Sequence, residues 1–177
     1  MKNILLTGER DNFCVLRKSY RNTVEIANFA SDILAHGEFP GYGAEPVIRH
    51  GEAVGIRQTA GRDLYREAAK ICKGWQTDGF DTIAVICRDQ KQAQETAELL
   101  QKELPVMPWD PEKASFEKGI MVFPVEYTKG LEFDAVLLLS PDRESYPIDD
   151  GHAKLLYVAA TRALHRLEVL HTGNLTG

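Results

Sequence analysis

Three stretches of this chain put an arginine or a carboxylate where plain solvation explains it poorly. The first is 154–163, KLLYVAATRA. At 100° per residue, Leu155, Leu156, Ala159 and Ala163 share one apolar arc, and Arg162 falls on its edge. A long cation there must snorkel to water or meet an anion. Its planar fork can bind two oxygens of a transferring phosphoryl group. A structural ion pair with Asp or Glu is the rival account, and the segment alone does not choose.

The second stretch is the polar loop 127–134, YTKGLEFD, set between two apolar runs. Gly130 permits a tight turn with close backbone approach, and Glu132 offers an acceptor suited to a ribose hydroxyl. A plain connecting turn fits the loop equally well. The third is 19–23, SYRNT, which holds Arg21 between a short apolar run and a helix start. An arginine just beyond the carboxyl end of a parallel strand faces the crevice where α/β proteins bind ligands. A surface arginine in a loop is the bland alternative.

What is missing matters as much. Nothing matches GxxxxGK[ST], so the chain carries no phosphate-cradling loop of its own. Gly41 and Gly43 follow no strand and meet Pro46, so they are no dinucleotide fingerprint. Asp142, after the apolar run 135–139, is weakly like a Mg²⁺ carboxylate, and a turn carboxylate is the stronger reading. The five histidines do not cluster at a metal spacing, so no metal site is expected. Alone, this chain should not hydrolyse ATP.

The elements that must position these residues alternate strand and helix, which predicts a mainly parallel sheet with helices on both faces. A buried strand is expected at 13–16. A helix follows, with Asn22 as N-cap and Glu25 as its capping-box partner; Ile26, Phe29, Ala30, Ile33 and Leu34 mark its period, and Gly37 ends it. Residues 36–46 read as a loop, and 47–59 as one or two strands with a hairpin around Gly51. A second helix spans 62–75, with Leu64, Ala68, Ile71 and Trp75 on one face. TIAVIC at 82–87 is apolar throughout, as strands inside parallel sheets are. Asp89 caps a third helix to about Leu104; 105–118 is an irregular connection. Strands follow at 119–125 and 135–139, then a helix at 153–164 capped by Asp149 or Asp150, and a closing strand at 167–171.

Composition agrees with one folded domain over 1–177. Hydrophobic residues make up 44% and charged residues 27% of 177 positions, enough for a core without disulfide staples. Cys14, Cys72 and Cys87 show no CxxC, which favours a reducing, cytoplasmic setting. The longest strongly apolar run, 135–139, is far below the ~20 residues a membrane span needs, so no membrane partner is expected. The net charge of −5 lowers the expectation of a dedicated phosphate-backbone grip without excluding a local basic groove.

Taken together, SYRNT, KGLEFD and LLYVAATRA, in that order, resemble motifs IV, V and VI of superfamily 1 helicases of the UvrD/Rep type. The stretch IAVICRDQKQAQETAELL at 83–100 is also similar to that family's segment. The resemblance implies a three-layer RecA-like domain, the C-terminal lobe of a larger ATPase or helicase. It implies that Arg162 and Arg21 reach the γ-phosphate, Arg162 as arginine finger. Glu132 would contact the ribose, with Gly130, Lys129 and Tyr157 beside the nucleotide. Arg88 and Thr128 would face nucleic acid. The nucleotide is ATP with Mg²⁺, whose ligands and phosphate loop belong to an N-terminal RecA-like lobe of the same polypeptide. DNA is the implied partner, and ATP hydrolysis belongs to the full-length protein.

Two departures bear on this. UvrD-type enzymes insert a large domain before motif V, whereas here only about residues 104–117 intervene. Pro124 and Glu126 also stand where that family usually has a Thr and a His facing single-stranded DNA. Both features resemble the HelD-type branch, which implies RNA polymerase as a partner and little unwinding. A non-catalytic RecA-like module serving as a protein-binding platform is the competing class; the joint presence of Arg21 and Arg162 argues against it. An independent nucleotide-binding α/β protein would need the missing phosphate loop.

Overall fold

A computed structural model describes residues 22–36, 49–108, 110, 112, 118–139 and 150–173. Among them run four helices, α1 (Val24–His36), α2 (Leu64–Thr77), α3 (Gln90–Leu100) and α4 (Asp150–Thr161). Six strands accompany them: β1 (Gly55–Gln58), β2 (Thr82–Cys87), β3 (Met107–Pro108), β4 (Gly119–Pro124), β5 (Phe133–Leu139) and β6 (Ala163–His171). The strands form one sheet in the order β1-β6-β5-β2-β4-β3, and every pairing is parallel. This is the expected α/β layering.

Strand periodicity divides the core in two. Ile83, Val85 and Cys87 of β2, Ile120 and Val122 of β4, and Leu137 and Leu139 of β5 pack under α2 and α3. Their alternates, Ala84, Ile86, Met121, Phe123, Val136 and Leu138, pack under α1 and α4. Successive strand side chains point to opposite faces, so a sheet covered on both sides needs apolar residues at every position. That is why TIAVIC and FDAVLLL read as near-continuous apolar runs.

The helices follow their local signals. On α2, Leu64, Ala68, Ile71 and Trp75 are all buried, as their spacing predicts. A 3-10 turn, Gly61–Asp63, precedes it, so the regular helix begins two residues later than expected. Asp89 caps α3 by accepting the Gln92 N–H at 2.9 Å. The helix ends at Leu100 rather than Leu104, through turns that leave Leu104 buried.

Other expectations are corrected. The cap of α1 is Thr23, whose hydroxyl accepts from Ile26 N at 3.4 Å; Asn22 and Glu25 are engaged elsewhere. Among the described residues no hairpin flanks Gly51: its N–H donates to the Glu25 carboxylate at 2.8 Å, and β1 pairs with β6 instead. The connection 105–118 includes the two-residue strand β3 beside β4. Most telling, the last helix stops at Thr161 rather than 164, and the closing strand starts at Ala163 rather than 167. The Arg162 carbonyl accepts from Phe133 N at 2.9 Å, so pairing with β5 overrides the helical period. The strand expected at 13–16, the loop 37–46 and the helix stop at Gly37 lie outside the described residues, as do Cys14, Asp142 and Asp149.

Candidate functional site

The amino-terminal ends of β5 and β6 form an edge where the interesting residues gather. Phe133 pairs with Ala163, and the next registered pair is Ala135 with Arg166. Two steps along β5 thus match three along β6, an irregularity that re-aims side chains at the strand start. Arg162 occupies the turn just before β6. Its N–H donates to Ala159 O at 3.2 Å and its carbonyl accepts from Phe133 N. The guanidinium lies against the end of α4: Nε donates to Val158 O at 3.1 Å and Nη2 to Thr161 Oγ1 at 3.3 Å. Thr161 Oγ1 in turn donates to Tyr157 O and Val158 O. The arginine is part-buried at the helix terminus, where the last carbonyls favour a cation.

Glu132, also part-buried, immediately precedes Phe133. Glu132 therefore stands one residue before the donor of the bond that Arg162 O accepts. Leading into this point, Leu131 N donates to Thr128 O at 3.0 Å, closing a turn over Lys129 and Gly130. Gly130 has φ +77, the left-handed region that glycine enters without Cβ strain, so the tight turn read from sequence is present. Lys129 and Gly130 are exposed.

The other expected site residues lie elsewhere or inside. Tyr157 is part-buried and packs on the core beneath α4. Thr128 is fully buried, and its hydroxyl donates to Val125 O at 2.6 Å. It shapes the turn from inside. Arg88 follows the carboxyl end of β2, the opposite edge of the sheet from Arg162, about 20 Å of strand away. It is exposed, and its Nε pairs with Asp89 at 2.8 Å. Near it Tyr127 is exposed, its hydroxyl accepting from Gln90 Nε2 at 2.9 Å, and Glu126 is exposed too. Arg21 lies outside the described residues.

Sequence reasoning missed several residues at this edge. Asn22, read as a helix cap, is 4% exposed and donates from Nδ2 to Thr161 O at 2.9 Å and to Ala163 O. Asp134 bonds the start of β2. His165 Nδ1 accepts from Arg49 Nη1 at 3.1 Å, and a second Arg49 nitrogen donates to Leu164 O. The Phe80 ring stacks on His165 with centroids 6.1 Å apart. No local signal marks these, because their partners are far along the chain.

Among the described residues, no group of three or more His, Cys, Asp and Glu converges as a metal site, and no helix is long and apolar enough to cross a membrane.

Residues 119–170 match the family model for the UvrD-like helicase C-terminal domain. That stretch contains both KGLEFD and LLYVAATRA and leaves out Arg21 and Arg88. No curated protein matches the chain. Among solved structures, it is similar to the crystal structure of the C-terminal domain of a possible DNA helicase from Lactobacillus plantarum WCFS1. The two share 25% identity with a TM-score of 0.73, over 89% of this chain and 90% of that one. The fold is therefore that of a helicase C-terminal domain, and its last three long strands with α4 carry the UvrD-like pattern.

Proposed function

We propose that this chain is the C-terminal, RecA-like motor lobe of an ATP-dependent superfamily 1 DNA helicase or translocase. It completes a nucleotide site whose phosphate loop and Mg²⁺ ligands sit on an N-terminal RecA-like lobe of the same polypeptide. The observation that carries this reading is the bond from Phe133 N to Arg162 O, which brings the residue after Glu132 onto the turn of Arg162, inside the segment matching the helicase family. The neighbouring position, Asn22, docks onto the same turn and follows Arg21 directly in sequence.

In this reading Arg162 presents its guanidinium to the γ-phosphate oxygens as the lobes close. Its donors stabilise charge that builds on the transferring group. The bonds to Val158 O and Thr161 Oγ1 hold the head at the helix end, so little rotamer freedom is lost when the phosphate arrives. Arg21 adds a second cation. Glu132 accepts a ribose hydroxyl, and the left-handed Gly130 brings the Lys129 backbone close to the nucleotide. Tyr157 supports α4 from the core. Residues of the N-terminal lobe would hold Mg²⁺, which would supply charge neutralisation for the phosphates. Closure and reopening of the cleft convert turnover into motion along DNA.

DNA contact on this lobe falls to the carboxyl edge around Arg88, where Glu126 and Pro124 replace donors with a carboxylate and a residue lacking an N–H. Weak stimulation of turnover by single-stranded DNA follows, and strong stimulation contradicts it. Neither comparison supports the HelD-like branch, and an RNA polymerase partner is not carried forward. The buried, unbridged Cys72 and Cys87 suit a cytoplasmic protein.

The test is ATP turnover by the polypeptide carrying both lobes, with Arg162→Ala as the variant. Loss of ~10³-fold or more in kcat with folding intact supports the motor reading. Unchanged turnover contradicts it and favours a protein-binding platform. The 177-residue chain alone is expected to turn over no ATP and to bind it weakly.

A further inference from the structure

Asn22 straddles Arg162. Its single amide nitrogen donates to the carbonyl of Thr161 on one side and of Ala163 on the other, so both of its N–H donors are spent on the arginine's two neighbours. The residue is 4% exposed, and the bonds span 139 and 141 residues of sequence. A buried side chain with both donors committed to one turn is a specific constraint, because losing it leaves two carbonyls without those partners.

The reason the turn needs such a clamp lies in the sheet. β1 pairs only with Glu168 to His171 of β6. Among the described residues, the strand between Ala163 and Arg166 is registered to β5 alone, and there the register slips. Side chains therefore take carbonyls in this half of the strand: Asn22 takes Ala163 O, and Arg49 takes Leu164 O. From the other side, Phe133 N holds Arg162 O, and Arg162 N holds Ala159 O. The backbone of residue 162 and of both its neighbours is thus tied by hydrogen bonds from α1's leading segment, α4 and β5.

We infer that Asn22 is a positioning residue for Arg162: its amide sets the backbone of the α4–β6 turn and thereby the placement of the guanidinium. This deepens the proposed motor function and rests on it. Asn22 touches no substrate. It acts through the arginine, so its removal weakens a transition-state contact and leaves nucleotide binding by the first lobe nearly untouched.

The experiment is a double-mutant cycle on ATP turnover in the two-lobed polypeptide, using Asn22→Ala, Arg162→Ala and both together. Misplacing a reacting group by about 1 Å costs on the order of 10²-fold, so Asn22→Ala is expected to lower kcat by about that factor with little change in KM. In the Arg162→Ala background the same substitution is expected to cost nothing further. Thr23→Ala, which removes only the α1 cap, serves as the stability control and keeps wild-type kcat. If Asn22→Ala does not fold, Asn22→Asp, with the same outline and no N–H donors, replaces it. Amide exchange at Arg162 and Phe133 is expected to quicken in either variant.

Wild-type kcat for the Asn22 variant beside a crippled Arg162→Ala overturns the positioning role and leaves the motor reading standing. Multiplicative losses in the double variant also overturn it, since Asn22 then acts by another route. Wild-type turnover by Arg162→Ala overturns both.

Discussion

Asp134 and Thr82 clamp each other across the starts of β5 and β2. The Asp134 carboxylate accepts the N–H groups of Asp81 and Thr82 at 3.0 and 3.1 Å, and Asp134 N donates to the Thr82 hydroxyl at 2.9 Å. The aspartate that ends KGLEFD thus sets where two central strands begin, one residue after the bond between Phe133 and Arg162. Asp134→Ala should destabilise the chain by about 1–3 kcal/mol, because the N–H groups of two strand-start residues lose their acceptor. Thr82→Val should cost less, about 1 kcal/mol. Urea unfolding followed by far-UV circular dichroism measures both; an unaffected Asp134→Ala midpoint would show that the clamp is redundant.

Gly130 offers a test of backbone strain apart from packing. An added Cβ would meet nothing within 4 Å, yet φ is +77. Gly130→Ala should therefore cost about 1–2 kcal/mol, purely from the left-handed backbone. At Gly61 a Cβ also meets nothing within 4 Å, and φ is not in the left-handed region. Gly61→Ala should be neutral or stabilising by up to about 1 kcal/mol. Equal effects at the two positions would contradict the strain argument.

Acid should loosen the anchoring of α1. The N–H of Gly51 first, and His50 second, hold the Glu25 carboxyl down to about 2 from its ordinary 4.5. A depressed carboxylate contributes stability that is full above its unfolded value and is lost as pH falls through its folded one. The contribution of Glu25 should thus be complete above 4.5 and fade toward about 2. Asp89, lowered mainly by the Gln92 N–H, acts with the same sign. Carboxyl carbon chemical shifts followed against pH read the Glu25 titration directly. In Glu25→Gln the acid-induced drop in unfolding midpoint should shrink, and an unchanged drop would remove Glu25 from the account.

Cys72 and Cys87 should resist thiol reagents in the folded chain. Burial pushes both thiols up to about 12, so almost no thiolate exists near neutral pH. Each is completely enclosed in the core. Alkylation read by peptide mass spectrometry should modify both only after denaturant is added. Rapid labelling of either under native conditions would mean that the α2–α3 face opens locally.

Much of the architecture was legible because it is local. TIAVIC has one reading in a sheet covered on both faces, and the α2 face and the Asp89 cap are written within four residues of themselves. The tight turn at Gly130 was legible for the same reason, since a glycine between polar residues is a conformational statement about itself. These features need no knowledge of what lies across the fold.

The tertiary structure decided what long-range pairing controls. The motif LLYVAATRA reads as helix through Arg162, yet β5 claims the Arg162 carbonyl and turns the chain into β6. Asn22 reads as a cap, yet its donors go to residues 139 and 141 positions away. The parallel pairing of β1 with β6 and the burial of Thr128 are decided by contacts far along the chain, which no local window contains. Propensity is worth a fraction of a kilocalorie per residue. An unmet buried carbonyl costs about 1–3 kcal/mol. Where the two compete, as they do at both ends of the turn that carries Arg162, the distant partner wins.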